Sequence, residues 1–294
     1  MNATHSFKND LLLVGVTLLA AAGWMFSKNA LQGMPPLYFL GIRFTLAGLI
    51  LAALAVPQLR QLSALQWRQA AQLGCLFAVA LMIWIIGLHH TVHVGEGAFI
   101  TSMGVVIVPV FARFIFKDTL PLSTWVAIPV ALAGLGLLSL NRGVRLEAGQ
   151  ILFLVSATLF ALHFNLITRV VASIPALALT SIQLTVVGIV SWGVALLVED
   201  YPATVGIDIW GWLLAAVLLA SSGRFLLQTY AQSRTSASHA AIIMVLEPVW
   251  ASLMAGLWLD ESMTMLQLAG CSLIFMALLV NRWRVIRNLI RSRW

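Results

Sequence analysis

Glu247 has the clearest chemical reason to be noticed. It stands in the run Ile243-Met244-Val245-Leu246-Glu247-Pro248, halfway along an apolar stretch. A bare carboxylate is expensive in hydrocarbon, so such a group faces a cavity or a partner. Pro248 has no N–H to give the carbonyl of Met244, which leaves that oxygen for water or a ligand. Two readings follow. Glu247 binds an amine or a coupling proton inside a cavity, or it is locked to a basic neighbour.

Arg224 is that neighbour. It lies seven residues before the inner end of the preceding stretch, and Glu247 lies eleven after the inner start of its own. At 1.5 Å per residue their depths differ by about 6 Å, which two long side chains can bridge. Gln228 is one turn from Arg224 on the same face. The pair either braces two helices, or Arg224 takes a ligand carboxylate while Glu247 takes an amine or a proton.

Other candidates are weaker. Arg43 sits within a stretch, near its outer third, where it braces helices through carbonyls or snorkels outward. His163, with Asn165 nearby, is either a packing residue or a pore group. Trp24, Phe99, Phe225 and Trp250 are candidate aromatic walls of a cavity, although tryptophans in such chains are commonly interfacial anchors. Trp67, Trp210, Trp212, Trp283 and Trp294, at stretch ends, fit the anchor role. His89, His90, His93 and Glu96 cluster at one outer connection. Imidazoles at helical spacing bind Zn²⁺ or Ni²⁺, but Val94-Gly95 interrupts the helix there, so a wet loop cluster is the better reading and no metal is expected.

These residues hang on ten apolar stretches, 11–31, 37–56, 70–90, 94–116, 121–141, 148–171, 175–198, 209–231, 236–259 and 264–283. Each is long enough to cross a bilayer core, which takes about 20 residues of helix. Hydrophobic residues make up 61% of the 294 and charged residues 9%, where a soluble domain carries about 25%. The expected fold is an all-α membrane protein. Stretch 11–31 is too long for the core of a signal peptide and reads as an uncleaved first helix. Cys75 and Cys271 lie within apolar stretches and imply no disulfide. None of Lys8, Lys28 and Lys117 follows a glycine, so no phosphate-binding loop and no cofactor is expected.

Basic residues set the orientation. Of 17 Lys and Arg, twelve fall on the side of the N-terminus, Lys28, Arg142 and Arg145 on the other, and Arg43 and Arg224 within spans. Both termini are therefore expected in the cytoplasm, in a bacterial inner membrane. Residues 285–294 form a basic amphipathic tail suited to anionic lipid, not to nucleic acid. Gly134 and Gly136 permit close helix contact, at a homodimer face or against lipid.

The chain also repeats. Residues 81–118 and 224–261 share a layout: a span end, a polar connection, a new span holding Pro109 or Pro248, and a terminal acid, Asp118 or Glu261. Lys28 and Arg43 in the first half correspond in spacing to Arg169 and Gln183 in the second. Five spans per half is odd, so the halves, 1–141 and 148–284, should be inverted. Inverted repeats are a transporter architecture, with the site between the halves.

The chain resembles the EamA-like branch of the drug/metabolite transporter superfamily over nearly its whole length. The resemblance lies in Leu31-Gln32-Gly33-Met34-Pro35-Pro36 with Gly41-Ile42-Arg43-Phe44, and in Gly97-Ala98-Phe99-Ile100-Thr101-Ser102 with Val106-Ile107-Val108-Pro109-Val110. The most specific piece runs from Ala240 to Trp250 and is followed by Leu259-Asp260-Glu261. The Trp-Gly common in the first span of the family is replaced by Ala20-Ala21, with Trp24 one turn later. The resemblance implies ten helices in two inverted five-helix repeats around a central cavity. It also implies export of small metabolites and a recurring role for Arg43. The expected function is secondary export of a small solute, an amino acid or related zwitterion, by alternating access. Efflux of lipophilic cations ranks second. An intramembrane lipid-modifying enzyme ranks third, because no serine has a histidine and acid placed around it.

Overall fold

A computed structural model describes residues 3–90, 94–120, 122–139, 148–200, 204–258 and scattered positions between 265 and 283. Among them every regular element is helical. They are α1 (Ala3–Ala30), α2 (Pro36–Leu59), α3 (Ala64–His90), α4 (Val94–Ser102), α5 (Gly104–Phe114), α6 (Leu122–Ser139), α7 (Ala148–Val170) and α8 (Ala176–Val198). Then come α9 (Ile207–Ala215), a π-helical segment (Ala216–Gly223), α10 (Arg224–Gln232), α11 (Ala237–Met244) and α12 (Leu246–Trp258). Helices are the form such a chain must take in lipid, where every backbone polar group needs an internal partner.

Seven of the expected spans are helices long and apolar enough to cross a membrane, counting α9 to α10 and α11 to α12 as one each. The fourth and fifth spans are represented by shorter apolar helices. The tenth lies mostly outside the described residues, as do the 140–147 connection, Asp260, Glu261 and the basic tail.

Prolines start two of these helices. Pro36 is the first residue of α2, and Pro175 precedes α8, positions where the missing N–H is not needed. The Glu199 carboxylate, just past α8, accepts from the N–H groups of Leu37 and Tyr38, each at 2.8 Å. It thereby satisfies orphan donors of α2 and meets the positive end of its dipole.

α2 and α8 form the most extensive helix pair. Their crossing is reciprocal. A Cβ on Gly48 would strike the backbone of Thr185, and one on Gly188 would strike the backbone of Thr45. Small residues at both points let the backbones meet. The surrounding contacts also correspond. α1 lies against α9, the π segment, α10 and α12, and α7 lies against α3, α4 and α5.

Two spans expected to be continuous are broken. The fourth is interrupted at Met103, between α4 and α5, and the ninth at Val245, between α11 and α12. α4 packs on α12 and α5 on α11, so the two broken helices face each other. Pro248 accounts for the second break, since the carbonyl of Met244 loses its donor. Pro109 lies well inside α5 and does not account for the first.

Candidate functional site

A cavity of about 150 Å³ lies at these breaks. Its walls come from α1, α2, α3, the two broken helices, α7, the π segment and α10. Among the described residues its charged groups are Arg43, Arg224 and Glu247, joined by Gln228 and His163.

Glu247 is in the first turn of α12 rather than in mid-helix. The break therefore sets the carboxylate at the positive end of a half-helix dipole. Trp24 Nε1 donates to its Oε1 at 2.7 Å, and Arg224 Nη2 approaches its Oε2 at 3.6 Å. Both charged side chains keep nearly a fifth of their surface, 19% for Arg224 and 18% for Glu247. The pair is thus looser than a closed bidentate bridge and is open to the cavity. Arg224 Nε and Gln228 Oε1 are buried and have no partner among the described residues. The guanidinium of Arg224 lies 4.4 Å from the ring centre of Phe225, which also lines the cavity.

Arg43 does not snorkel; it is 4% exposed. Its Nε donates to Ser221 Oγ at 2.7 Å, Nη1 to Ser27 Oγ at 2.9 Å and Nη2 to the Ala220 carbonyl at 3.3 Å. Of the two roles open to it, Arg43 takes the bracing one and joins α1, α2 and the π segment. No carboxylate among the described residues lies within ion-pair distance of it. Its charge rests on neutral dipoles and on the rings of Phe39 and Phe44.

His163 also lines the cavity. Its Nε2 is 2.6 Å from Gln183 Oε1, and Phe77 stacks on its ring at 4.4 Å. Asn165 points elsewhere, donating to the carbonyls of Val108 and Ala161 and so tying α7 to α5. Trp24 packs edge-on against Trp84, 4.7 Å between ring centres, and forms an aromatic wall.

Two expectations need correcting or setting aside. Trp250 is not on the cavity wall: its indole donates to Thr17 Oγ1 at 3.1 Å and packs between α12 and α1. Trp250 lies one turn beyond Glu247, and its ring is drawn to the α1 side by the Thr17 hydroxyl. The side chain of Phe99 lies outside the described residues, as do His93 and the side chain of Glu96. Three features had no forerunner in the sequence reading: the hydroxyls of Ser27 and Ser221 around Arg43, the indole bond to Glu247, and the π segment.

The profile of the EamA-like transporter family matches residues 7–140 and again 147–283. The chain belongs to the EamA-like transporter family. Relatives of this transporter include an uncharacterized transporter of Archaeoglobus fulgidus, 27% identical over 276 residues, covering 94% of this chain and 86% of that one. Another is the uncharacterized transporter YvbV of Bacillus subtilis, 23% identical, covering 93% and 92%. A solved crystal structure superposes with a TM-score of 0.79 over 95% of this chain and 98% of that chain. At 16% identity it supports the transporter's fold alone.

Proposed function

We propose that this transporter exports a small zwitterionic metabolite, an amino acid or close relative, by alternating access between two inverted five-helix halves. The charge balance of the cavity carries the reading. Among the described residues two guanidiniums face one carboxylate, so the site has positive charge in excess and asks for a solute that brings a carboxylate. Arg224 and the unpartnered amide oxygen of Gln228 can then hold opposite ends of a zwitterion, with Glu247 beside them. Indole and phenyl rings cover its apolar part.

Size supports the same class. Drug-sized ligands occupy pockets of about 300–1,000 Å³, and this cavity is about 150 Å³. A lipophilic cation would gain only Glu247 and would meet two like charges. The inverted arrangement draws support from the reciprocal crossing of α2 with α8, the matching surroundings of α1 and α7, and the two facing broken helices. Half-helix ends near the midplane are where transporters place solute sites. Cytoplasmic termini, the inner membrane as location and a tenth span over 264–283 belong to the same proposal, on the strength of the basic bias and the hydropathy.

Purified protein in proteoliposomes should take up one or more radiolabelled amino acids or relatives in a panel, and should not move ethidium. Ethidium movement without any amino acid flux would replace the proposal with cation efflux. A reporter active only outside the cytoplasm should be silent when fused after Trp294; activity there would invert the topology.

A further inference from the structure

Nothing in the charge balance of the cavity explains the π-helical segment that delivers Arg224 to it. The backbone N–H of Arg224 donates to the carbonyls of Leu219 and Ser221. It passes over Ala220, four residues back, whose carbonyl an α-helix would give it. That skipped oxygen accepts from Arg43 Nη2 at 3.3 Å. Arg43 Nε holds the hydroxyl of Ser221, the next residue, at 2.7 Å. Ser222 Oγ donates back five residues, to the carbonyl of Val217. Gly23 makes room for the arrangement, since a Cβ there would meet Ala220 Cβ at 2.8 Å and Arg43 Nη2 at 3.7 Å.

We infer that Arg43 is the positioning residue for Arg224: by occupying the Ala220 carbonyl it holds the segment in π register, and that register aims Arg224 at Glu247. Arg43 and the α-helical amide of Arg224 compete for one oxygen. When Arg43 lets go, the segment can close into α-helix. A π segment holds one residue more than the α-helix that would replace it, so closure turns everything after it by about 100°. Arg224 then leaves Glu247. Pairing and separation of the two charges thus follow from a one-residue change of register inside a helix. The inference rests on the chain being a transporter but on no particular solute.

The register can be read from the lipid-facing side of α10. Leu227 and Tyr230 are exposed there, while Thr229 is buried and Leu226 is half-buried. Single nitroxide labels would be scanned over residues 225–231 of the full chain in lipid bilayers, with Cys75 and Cys271 replaced by serine, and collision with molecular oxygen measured. The unsubstituted register should give maxima at 227 and 230. Arg43→Ala should move them one residue back, to 226 and 229. Deleting the exposed Leu219 from the Arg43→Ala protein should return them to 227 and 230, because the shortened segment is α-helical with Arg224 in its present bearing. A residue that only ties helices together would not be rescued by removing another.

Maxima that stay at 227 and 230 in Arg43→Ala, or that the deletion fails to restore, overturn the inference. If Arg43→Ala does not assemble, Ser221→Ala removes one acceptor of the guanidinium and should shift the maxima the same way. Unchanged maxima there overturn it equally. No solute enters these measurements, so a failed uptake screen and a failed register scan are separate results.

Discussion

Glu247→Gln is expected to destabilise the protein by about 3 kcal/mol and Arg224→Gln by about 2 kcal/mol, and the double replacement by clearly less than their sum. The inequality follows from what each change leaves behind. Without Glu247, Arg224 and Arg43 face the same cavity with no carboxylate among the described residues to offset them. Without Arg224, Glu247 still has the Trp24 N–H and the positive end of α12. Removing one partner of a buried pair costs about 3–5 kcal/mol. The lower figures reflect the residual exposure of both side chains and their 3.6 Å separation. A double-mutant cycle on unfolding in mixed micelles should give a coupling of about 1–2 kcal/mol. Additive effects would mean that the two charges act independently.

Trp24→Phe should lower transport about tenfold or more, with the protein still reaching the membrane. The substitution keeps a ring against Trp84 and removes one N–H. That N–H donates at 2.7 Å to the carboxylate oxygen that Arg224 does not approach. Hydrogen bonds to charged groups contribute about 1.5–3 kcal/mol, and each 1.4 kcal/mol is about tenfold in an equilibrium constant. Trp84→Phe is the matched control. It alters the same aromatic wall without touching Glu247 and should change transport by less than about threefold. Equal effects of the two substitutions, measured as initial uptake rates, would reduce Trp24 to packing.

The main charges of the site were legible in the sequence for a reason particular to membranes. Hydrocarbon penalises ionised groups so heavily that Arg43, Arg224 and Glu247 stand out against the spans that carry them. Depth arithmetic was enough to pair Arg224 with Glu247, because rise per residue is constant along a helix. It could not see Trp24, whose contact with Glu247 depends on how α1 is rotated against α12. The rotation of a helix is fixed by packing, which is also why Trp250 lies against α1 and not on the cavity wall. The break at Val245 had a local cause in Pro248. No residue of the described structure accounts for the break at Met103, and the π segment has no local signal because the donor on its skipped carbonyl, Arg43, comes from another helix. Ser221 and Ser27 read as ordinary small residues until Arg43 is placed between them.

The reciprocal crossing of α2 with α8 has a mechanical consequence. At Gly48 and Gly188 each backbone rests on a threonine of the other helix, so the pair cannot slide or draw closer without steric conflict. Rotation about the crossing point brings the two backbones no closer there. The crossing acts as a fulcrum: displacement is smallest there and grows with distance along either helix. Arg43 and Phe44, the residues just before Thr45, set one wall of the cavity beside this pivot, so a change of crossing angle would move that wall least and the far ends of α2 and α8 most.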